Sequence, residues 1–421
     1  MRISPRLSPE STPSTTLHES ILSSVSSVRD SLPEQYRVHF ETLRQEIIDF
    51  AASHDIPSEA LAKPDLLRKA AEELPTKDLE RLAFLLERFE HLIVKKEPWT
   101  NKEALEYGEK YYHLEKQYTA QVTLLEKSGI LKEGAILGID DKKYPIPTLE
   151  QIAIRLFERR ETLETKHDQG FTKLLLVPFG MSLDTLRETL KQFLLDYKQK
   201  NSSFDLSTNI PLWTLGEYQG ADIGDSPKLV YHSQSFANEG HGGKTKTEIL
   251  GGQETPGQAR SDNGRMGDNG WKGWTVHLFQ PSNPKDLNSK GFASIPRKGQ
   301  GILQGDLTPR PPFETDKFSA EYLSLLQSSK DNLDSPYFQE SGMTPEDWIM
   351  AFMTHLTETG NPMDDWRTHK EGIPYLIGAF FPSSIFVPFA YWNRDIHHVR
   401  LDREEYCTHG ENFGTRSSVM I

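Results

Sequence analysis

Apolar residues return at steps of three and four through three stretches of the N-terminal part of the chain. Behind Ser31 and Glu34, which read as a capping box, Tyr36, Phe40, Leu43, Ile47 and Phe50 fall on one helical stripe. Interruptions at Pro57 and Pro64 follow. Leu79, Leu82, Leu86, Phe89 and Ile93 then repeat the rhythm, and Thr100 with Glu103 opens a third helix carrying Leu105, Tyr111, Leu114, Tyr118 and Leu125. A stripe of this kind has to be covered, so the pattern predicts a small helical bundle over 18–142, serving as spacer or oligomerisation unit. The Ser-, Pro- and Thr-rich residues 1–17 have little to bury and are expected to be disordered.

From Lys142 the texture changes. Tyr144 to Pro147 forms a proline-bracketed link, and one more helix from Thr148 to near Lys166 makes 143–170 a linker helix. Phe171 to Val177 is a short apolar run between Gly170 and Pro178, hence a strand. Ser182 then caps a helix whose Leu186, Leu190, Phe193 and Tyr197 face inward. Beyond Asn201 helical periodicity nearly vanishes: Leu212 to Leu215, Lys228 to His232 and Gly273 to Gln280 read as short strands between long loops such as Asn238 to Gly270. One late helix stands out, with Thr344 as N-cap, Pro345 first, Asp347 closing the box, then Trp348, Ile349, Phe352 and Leu356, stopped by Gly360 and Pro362. The fold class this predicts is α+β, an all-α N-terminal module followed by a mixed domain of short strands and long loops over 171–421.

Composition narrows the function. Of 421 residues, 36% are hydrophobic and 26% charged, a balance that builds cores and excludes a fibre. No apolar run is long enough for a bilayer span and none follows the first arginines, so no membrane span and a cytoplasmic location are expected, with non-classical export left open. The net charge of −13 opposes attraction to phosphate backbones, so nucleic acid is not an expected partner. The single cysteine, Cys407, excludes an internal disulfide and any all-thiolate metal site.

Candidate chemistry is sparse. Asn238 to Thr245, NEGHGGKT, ends like a phosphate loop, but Asn238 replaces the leading glycine and KTEILGG is not expected to supply the helix that would cradle phosphate. His397, His398, Cys407 and His409 are metal-ligand types, yet adjacent histidines on an extended segment point to opposite faces. Asp364, Asp365, Asp402, Glu404 and Glu405 read as solvated loop charge. No elbow surrounds Cys407 or Ser417, so no catalytic apparatus is expected.

The last stretch differs. Tyr375 to Phe381 is an apolar strand, Pro382 to Ser384 a turn, and Gly414 to Ile421 a second strand carrying Arg416, expected to pair with a buried carboxylate or carbonyl. Between them Val399 and Leu401 alternate, which turns His398, Arg400 and Asp402 together toward solvent. Tyr391, Asn393, Asp395, His397, Tyr406, His409 and Asn412 add aromatic, amide, imidazole and carboxylate groups, a mixture suited to recognition. Tyr391 and Trp392 are candidate anchors, with core packing the competing role for both and the stronger one for Trp392 beside a strand that must be buried.

LIGAFFPSS, VPFAYWNR and the terminal GTRSSVMI resemble the end of the C-type-lectin-like domains of the formylglycine-generating superfamily, particularly the target proteins of diversity-generating retroelements. LLLVPFGMSLDTL and MTPEDWIMAF look like upstream parts of the same domain. The resemblance implies a non-enzymatic display protein without cofactor or metal, binding a macromolecular ligand, a protein, through a variable face at 391–413. By that likeness Asn393, Asp395, Ile396, His397, His398, Arg400, Asp402, Glu404, Tyr406, Cys407, His409, Glu411 and Asn412 would be rewritten positions. Trp392, Val399, Leu401, Phe413, Gly414 and Arg416 would be the fixed frame, and the N-terminal helices a homo-oligomerisation unit. The alternative within the same superfamily is a metal-dependent oxidase, similar to sulfoxide synthases that join a helical domain to this fold. Formylglycine generation takes a cysteine pair, sulfoxide synthases an HxxxHxE helix and calcium lectins Glu-Pro-Asn and Trp-Asn-Asp sets. This chain carries one cysteine, no such spacing among His18, His39, His54, His91, His113 and His167, and Trp392-Asn393-Arg394.

Overall fold

A computed structural model of the chain describes residues 21, 26–72, 74–224, 227–252, 271–299, 310–365 and 372–421; the expected disorder at 1–17 and most of 238–270 lie partly or wholly outside them. Among the described residues, 13 helices and several small sheets, about 44% helix and 16% strand, place it in the mixed α+β class. The chain divides into two compact units, 1–107 with 153–163, and 108–152 with 164–421. This differs from the expected boundary near 142, and the chain passes between the units within α6, α8 and α9, whose ranges follow.

The first unit holds α1 (Ser26–Asp30), α2 (Arg37–Ser53), α3 (Ser58–Leu61), α4 (Pro64–Ala71) and α5 (Thr76–Lys95). The stripes pack on one another as their spacing requires: Phe40, Leu43, Ile47 and Phe50 of α2 share a core with Leu82, Leu85, Phe89 and Leu92 of α5, and the Phe40 and Phe89 rings lie 5.1 Å apart. The capping box at Ser31 does not form. Ser31 Oγ donates to Val28 O, and Pro33 sets a 3-10 turn over Glu34–Tyr36 from which α2 starts without a side-chain cap. Arg81 bridges Glu46 and the fully buried side chain of Glu158, at 3.9 and 2.8 Å.

The helices linking and filling the second unit are α6 (Lys102–Tyr112), α7 (Leu114–Lys127), α8 (Leu149–Glu158), α9 (Arg160–Asp168), α10 (Leu183–Lys200), α11 (Lys246–Gly252), α12 (Ser319–Ser329) and α13 (Pro345–Thr359). The expected third N-terminal helix is two, because His113 at φ 45° and ψ 48° leaves the right-handed ladder. Ser182 and Thr344 cap α10 and α13 as expected, and α13 stops at Gly360, whose φ of 74° few other residues adopt. Helices α11 and α12 correct the expectation that helical structure all but ends at Asn201.

Strands β1 (Ala135–Leu137) and β2 (Lys143–Pro145) pair alone, as do β5 (Val230–Tyr231) and β9 (Ala379–Phe380). An antiparallel sheet runs β3 (Lys173–Val177), β6 (Thr275–Phe279), β13 (Ser417–Met420), β7 (Glu340–Gly342). The free edge of β3 is satisfied by two glutamines one turn apart on α7. Gln117 and Gln121 each exchange amide hydrogen bonds with β3 or its approach, at Thr172, Leu174 and Leu176, in place of a further strand.

The second sheet runs β12 (Phe413–Thr415), β8 (Ile373–Tyr375), β10 (Phe386–Asn393), β11 (His398–Glu405), β4 (Leu212–Thr214). Its β10–β11 hairpin pairs residue for residue from Phe386 opposite Glu405 to Asn393 opposite His398. One face of β10, Val387, Phe389 and Tyr391, packs with Tyr322, Leu323 and Leu326 of α12; on the other, Trp392 meets Phe204. The expected single strand from Gly414 to Ile421 is split: β12 belongs to one sheet and β13 to the other, with buried Arg416 at the crossing.

Candidate functional site

The residues singled out near the C-terminus stand in three environments. On the hairpin, register puts His398, Arg400, Asp402 and Glu404 on the same sheet face as Asn393, Tyr391, Phe389 and Val387. Helix α12 covers the β10 part of that face. The β11 part is more open, and there the Arg400 guanidinium lies 4.3 Å over the Trp213 ring of β4 and bonds Asp402 Oδ2 at 2.6 and 2.9 Å.

Three assignments to an exposed face are corrected. Tyr391, Trp392 and His398 are only 8%, 3% and 6% exposed. Tyr391 belongs to the core under α12 and Trp392 to the opposite face, which is the packing role weighed for it. His398 is closed in because β4 runs parallel beside β11; burial and then Arg400 push its pKa down, while a backbone hydrogen bond at Ile210 works the other way.

The remaining residues, exposed or half-buried, form two groups at opposite ends of the hairpin rather than one continuous face. At the turn are exposed Arg394, Asp395 and Ile396 with half-buried Asn393 and His397; Asn393 Oδ1 accepts from Asp395 N at 3.1 Å and His397 Nδ1 lies 3.2 Å from Asp205. At the far end are exposed Glu405, Cys407, His409 and Glu411 with half-buried Glu404 and Asn412 and with Tyr406, which packs against the core under α12 and so corrects its assignment to an exposed face as well. An eight-residue strand at roughly 3.3 Å per residue separates them by about 25 Å. His397 and His398 are therefore remote from Cys407 and His409, and among the described residues no group of three or more His, Cys, Asp or Glu is placed to hold a metal ion.

The far-end loop is fastened mainly through its backbone. Tyr375 OH donates to Thr408 O at 2.8 Å, Ser319 Oγ to Tyr406 O at 3.1 Å, Ile373 N to Asn412 O at 2.6 Å and Asp316 N to Phe413 O at 2.9 Å. The same holds along β11, where Tyr218 OH donates to Asp402 O at 2.6 Å and Ser207 N to His397 O at 2.7 Å. Two side chains add anchors: Asn412 takes a hydrogen bond from Arg297, and His409 Nδ1 sits 3.0 Å from Asp316 with its ring edge-on to half-exposed Phe318. Lys298 and His409 hold the Asp316 carboxyl below its ordinary pKa by hydrogen bonding. Glu405, Cys407, His409 and Glu411 are exposed, and the hydrogen bonds of the Glu404 and Cys407 side chains stay within the loop, at Glu405.

Sequence reasoning missed the interior charges. Asp364 and Asp365, read as solvated, are 0% and 3% exposed. Asp364 takes both Arg416 nitrogens, at 2.8 and 2.9 Å, and Trp348 Nε1 at 2.8 Å; Asp365 takes Arg394. Arg416 thus has the buried carboxylate expected for it, and Ala293 O besides. Glu340 gathers Lys166, Arg310 and Ser417. Lys246, fully buried, reaches Asp222 at 2.5 Å and Glu346 at 2.7 Å, and Tyr231 OH also donates to Glu346 at 2.7 Å. The KTEILGG segment expected not to be helical is α11: Thr245 caps it with Glu248, and its first residue is Lys246, directed inward rather than at a phosphate. The signal for Lys246 was its spacing of four from buried Leu250, one helical face.

No protein-family model, no curated protein and no solved structure matches the chain. Among the described residues no helix is long and apolar enough to cross a membrane.

Proposed function

We propose that the chain is a non-enzymatic binding protein, a helical module followed by a C-type-lectin-like mixed domain, that takes a protein ligand on the β11 face and the Glu404–Asn412 loop. One observation carries the reading: the scaffold grips this segment through main-chain oxygens at His397, Asp402, Tyr406, Thr408 and Asn412, and such contacts survive a change of side chain. A rigid backbone with exchangeable side chains is what low-entropy recognition of varied partners requires. Arg400 stacked on Trp213 gives the face an aromatic and cationic centre in this chain, with Trp213 lying outside the positions that would vary. Diversification by a retroelement and self-association through the helices of the first unit belong to the same reading.

A library of the full chain randomised at Glu404, Glu405, Cys407 and Glu411 tests it. Most members are expected to melt within about 4 °C of the parent, roughly one kcal/mol for a unit of this size, and panning on streptavidin to yield binders. Widespread unfolding would overturn the reading. A near-copy of the 3′ end of the gene differing only at adenines, beside a reverse transcriptase gene, decides the diversification part.

A further inference from the structure

Of the interior charge clusters of the second unit, none of which binding uses, the one around Lys246 is sealed completely. Lys246, Asp222 and Glu346 have fully buried side chains, and the lysine ammonium lies between the two carboxyls with Met181 O as its third acceptor, at 2.7 Å. Phe179 and Tyr231 place ring centroids 5.1 and 5.5 Å from Nζ, walling the group with apolar surface. One cation lies between two anions out of reach of water, an enclosure that condensation of the lysine with one carboxyl would relieve. Burial works against the Lys246 ammonium, Glu346 and Asp222 outweigh it, and its pKa stands above the ordinary lysine value. Asp222 Oδ1 and Glu346 Oε2 make no hydrogen bond among the described residues, whereas Asp222 Oδ2 accepts from Leu183 N at 2.8 Å, at the N-terminus of the 18-residue α10.

We propose that Lys246 and Asp222 become joined by an intramolecular isopeptide bond that forms without any other protein, Glu346 moving the protons. The Nζ–Oδ2 contact of 2.5 Å holds nucleophile and carboxyl together in advance, the positioning that makes an intramolecular attack effective. Glu346 takes a proton from the ammonium, and the freed Nζ lone pair attacks Cγ of Asp222. Negative charge develops on Oδ2, where the Leu183 N–H already points. Glu346 hands its proton to Oδ1, takes a second from Nζ and delivers that as well, so that the Nζ–Cγ bond forms, the Cγ–Oδ1 bond breaks and Oδ1 leaves as water. Ammonium and carboxylate become amide and water and Glu346 ends as it began, so protons and charge balance and no oxidant or cofactor enters. The lysine and aspartate charges are gone from the interior in the product, which gives the step its direction.

Intact mass of the purified full chain decides it. The wild type is expected about 18 Da, one water, below its sequence mass, and Asp222→Ala at its full sequence mass. Trypsin is expected to leave Lys246 uncut and to yield one branched peptide containing Asp222. Glu346→Gln is expected to return most of the chain to full mass. Should Asp222→Ala fail to fold, the wild-type peptide map still answers. Wild-type protein at full sequence mass with normal cleavage after Lys246 overturns the proposal.

Discussion

Charged groups inside the second unit and charged groups on its Glu404–Asn412 loop are held in opposite ways. Inside, side chain meets side chain across long sequence distances: Asp364 with Arg416 and Trp348, Glu340 with Lys166 and Arg310, Lys246 with Asp222 and Glu346. On the loop, the scaffold bonds mainly to carbonyl oxygens and the acidic side chains stand in solvent. The first arrangement ties the fold to residue identity. The second ties it to backbone path alone, leaving identity free for recognition.

The largest expected effect lies on the interior side. Asp364→Ala removes the acceptor of two Arg416 nitrogens and of Trp348 Nε1, leaving a guanidinium that is 9% exposed without its carboxylate. Breaking a buried pair from one side costs about 3 to 5 kcal/mol. Urea unfolding of the variant is expected to show that loss, and a change under about 1 kcal/mol would mean that the interior tolerates exchange as the loop does.

Next in size is a pH effect. Burial pushes His355 and His277 down to about 3, while the unfolded chain titrates near 6.5. Each histidine therefore contributes stability that is complete above about pH 6.5 and is lost as pH falls toward 3. Asp347 acts the other way: burial raises it to about 7, so its contribution is present below roughly pH 4 and lost as pH rises through 7. Between about pH 4 and 6.5 the two histidines act against the one carboxyl, which His277 Nε2 faces at 3.4 Å, leaving a net loss of stability on acidification. His355 Nδ1 accepts from Phe292 N at 3.0 Å, a bond its protonation would end. A glutamine there keeps an acceptor and does not titrate, so His355→Gln is expected to flatten the wild-type slope over this range, read as urea midpoints. An unchanged slope would place the acid sensitivity elsewhere.

How far the sequence reached follows the same division. Helices α2, α5, α10 and α13 were legible because a stripe and a cap are local: Thr344, Asp347 and Gly360 mark the ends of α13. Helix α12 was not, since its short run owes its existence to Tyr322, Leu323 and Leu326 meeting β10. Alternation placed His398, Arg400 and Asp402 on one face, as the register has it. Alternation does not tell which part of that face is roofed by α12 or bordered by β4, and for that reason it leaves Tyr391 and His398 on the surface side. Lys246 shows locally only its helical spacing of four from Leu250, and its partners, 24 and 100 residues away, leave no trace in local pattern.

The smallest effects sharpen the comparison most, because they set the loop against its own anchors. Glu404→Ala, Cys407→Ser and Glu411→Ala change side chains that the scaffold does not hold by hydrogen bonds, and each is expected to shift stability by no more than about 0.5 kcal/mol. Tyr375→Phe changes no loop residue. It removes the phenol that holds Thr408 O, and burial keeps that phenol protonated by raising its pKa, so the donor is present at every ordinary pH. Leaving a part-buried carbonyl without its donor costs about 0.5 to 1.5 kcal/mol, more than any of the three loop changes. Amide exchange at residues 406–409 should quicken in Tyr375→Phe and stay unchanged in Glu411→Ala. If the ranking reversed, loop side chains would be holding the loop, and a surface whose shape depends on them could not be rewritten without being lost.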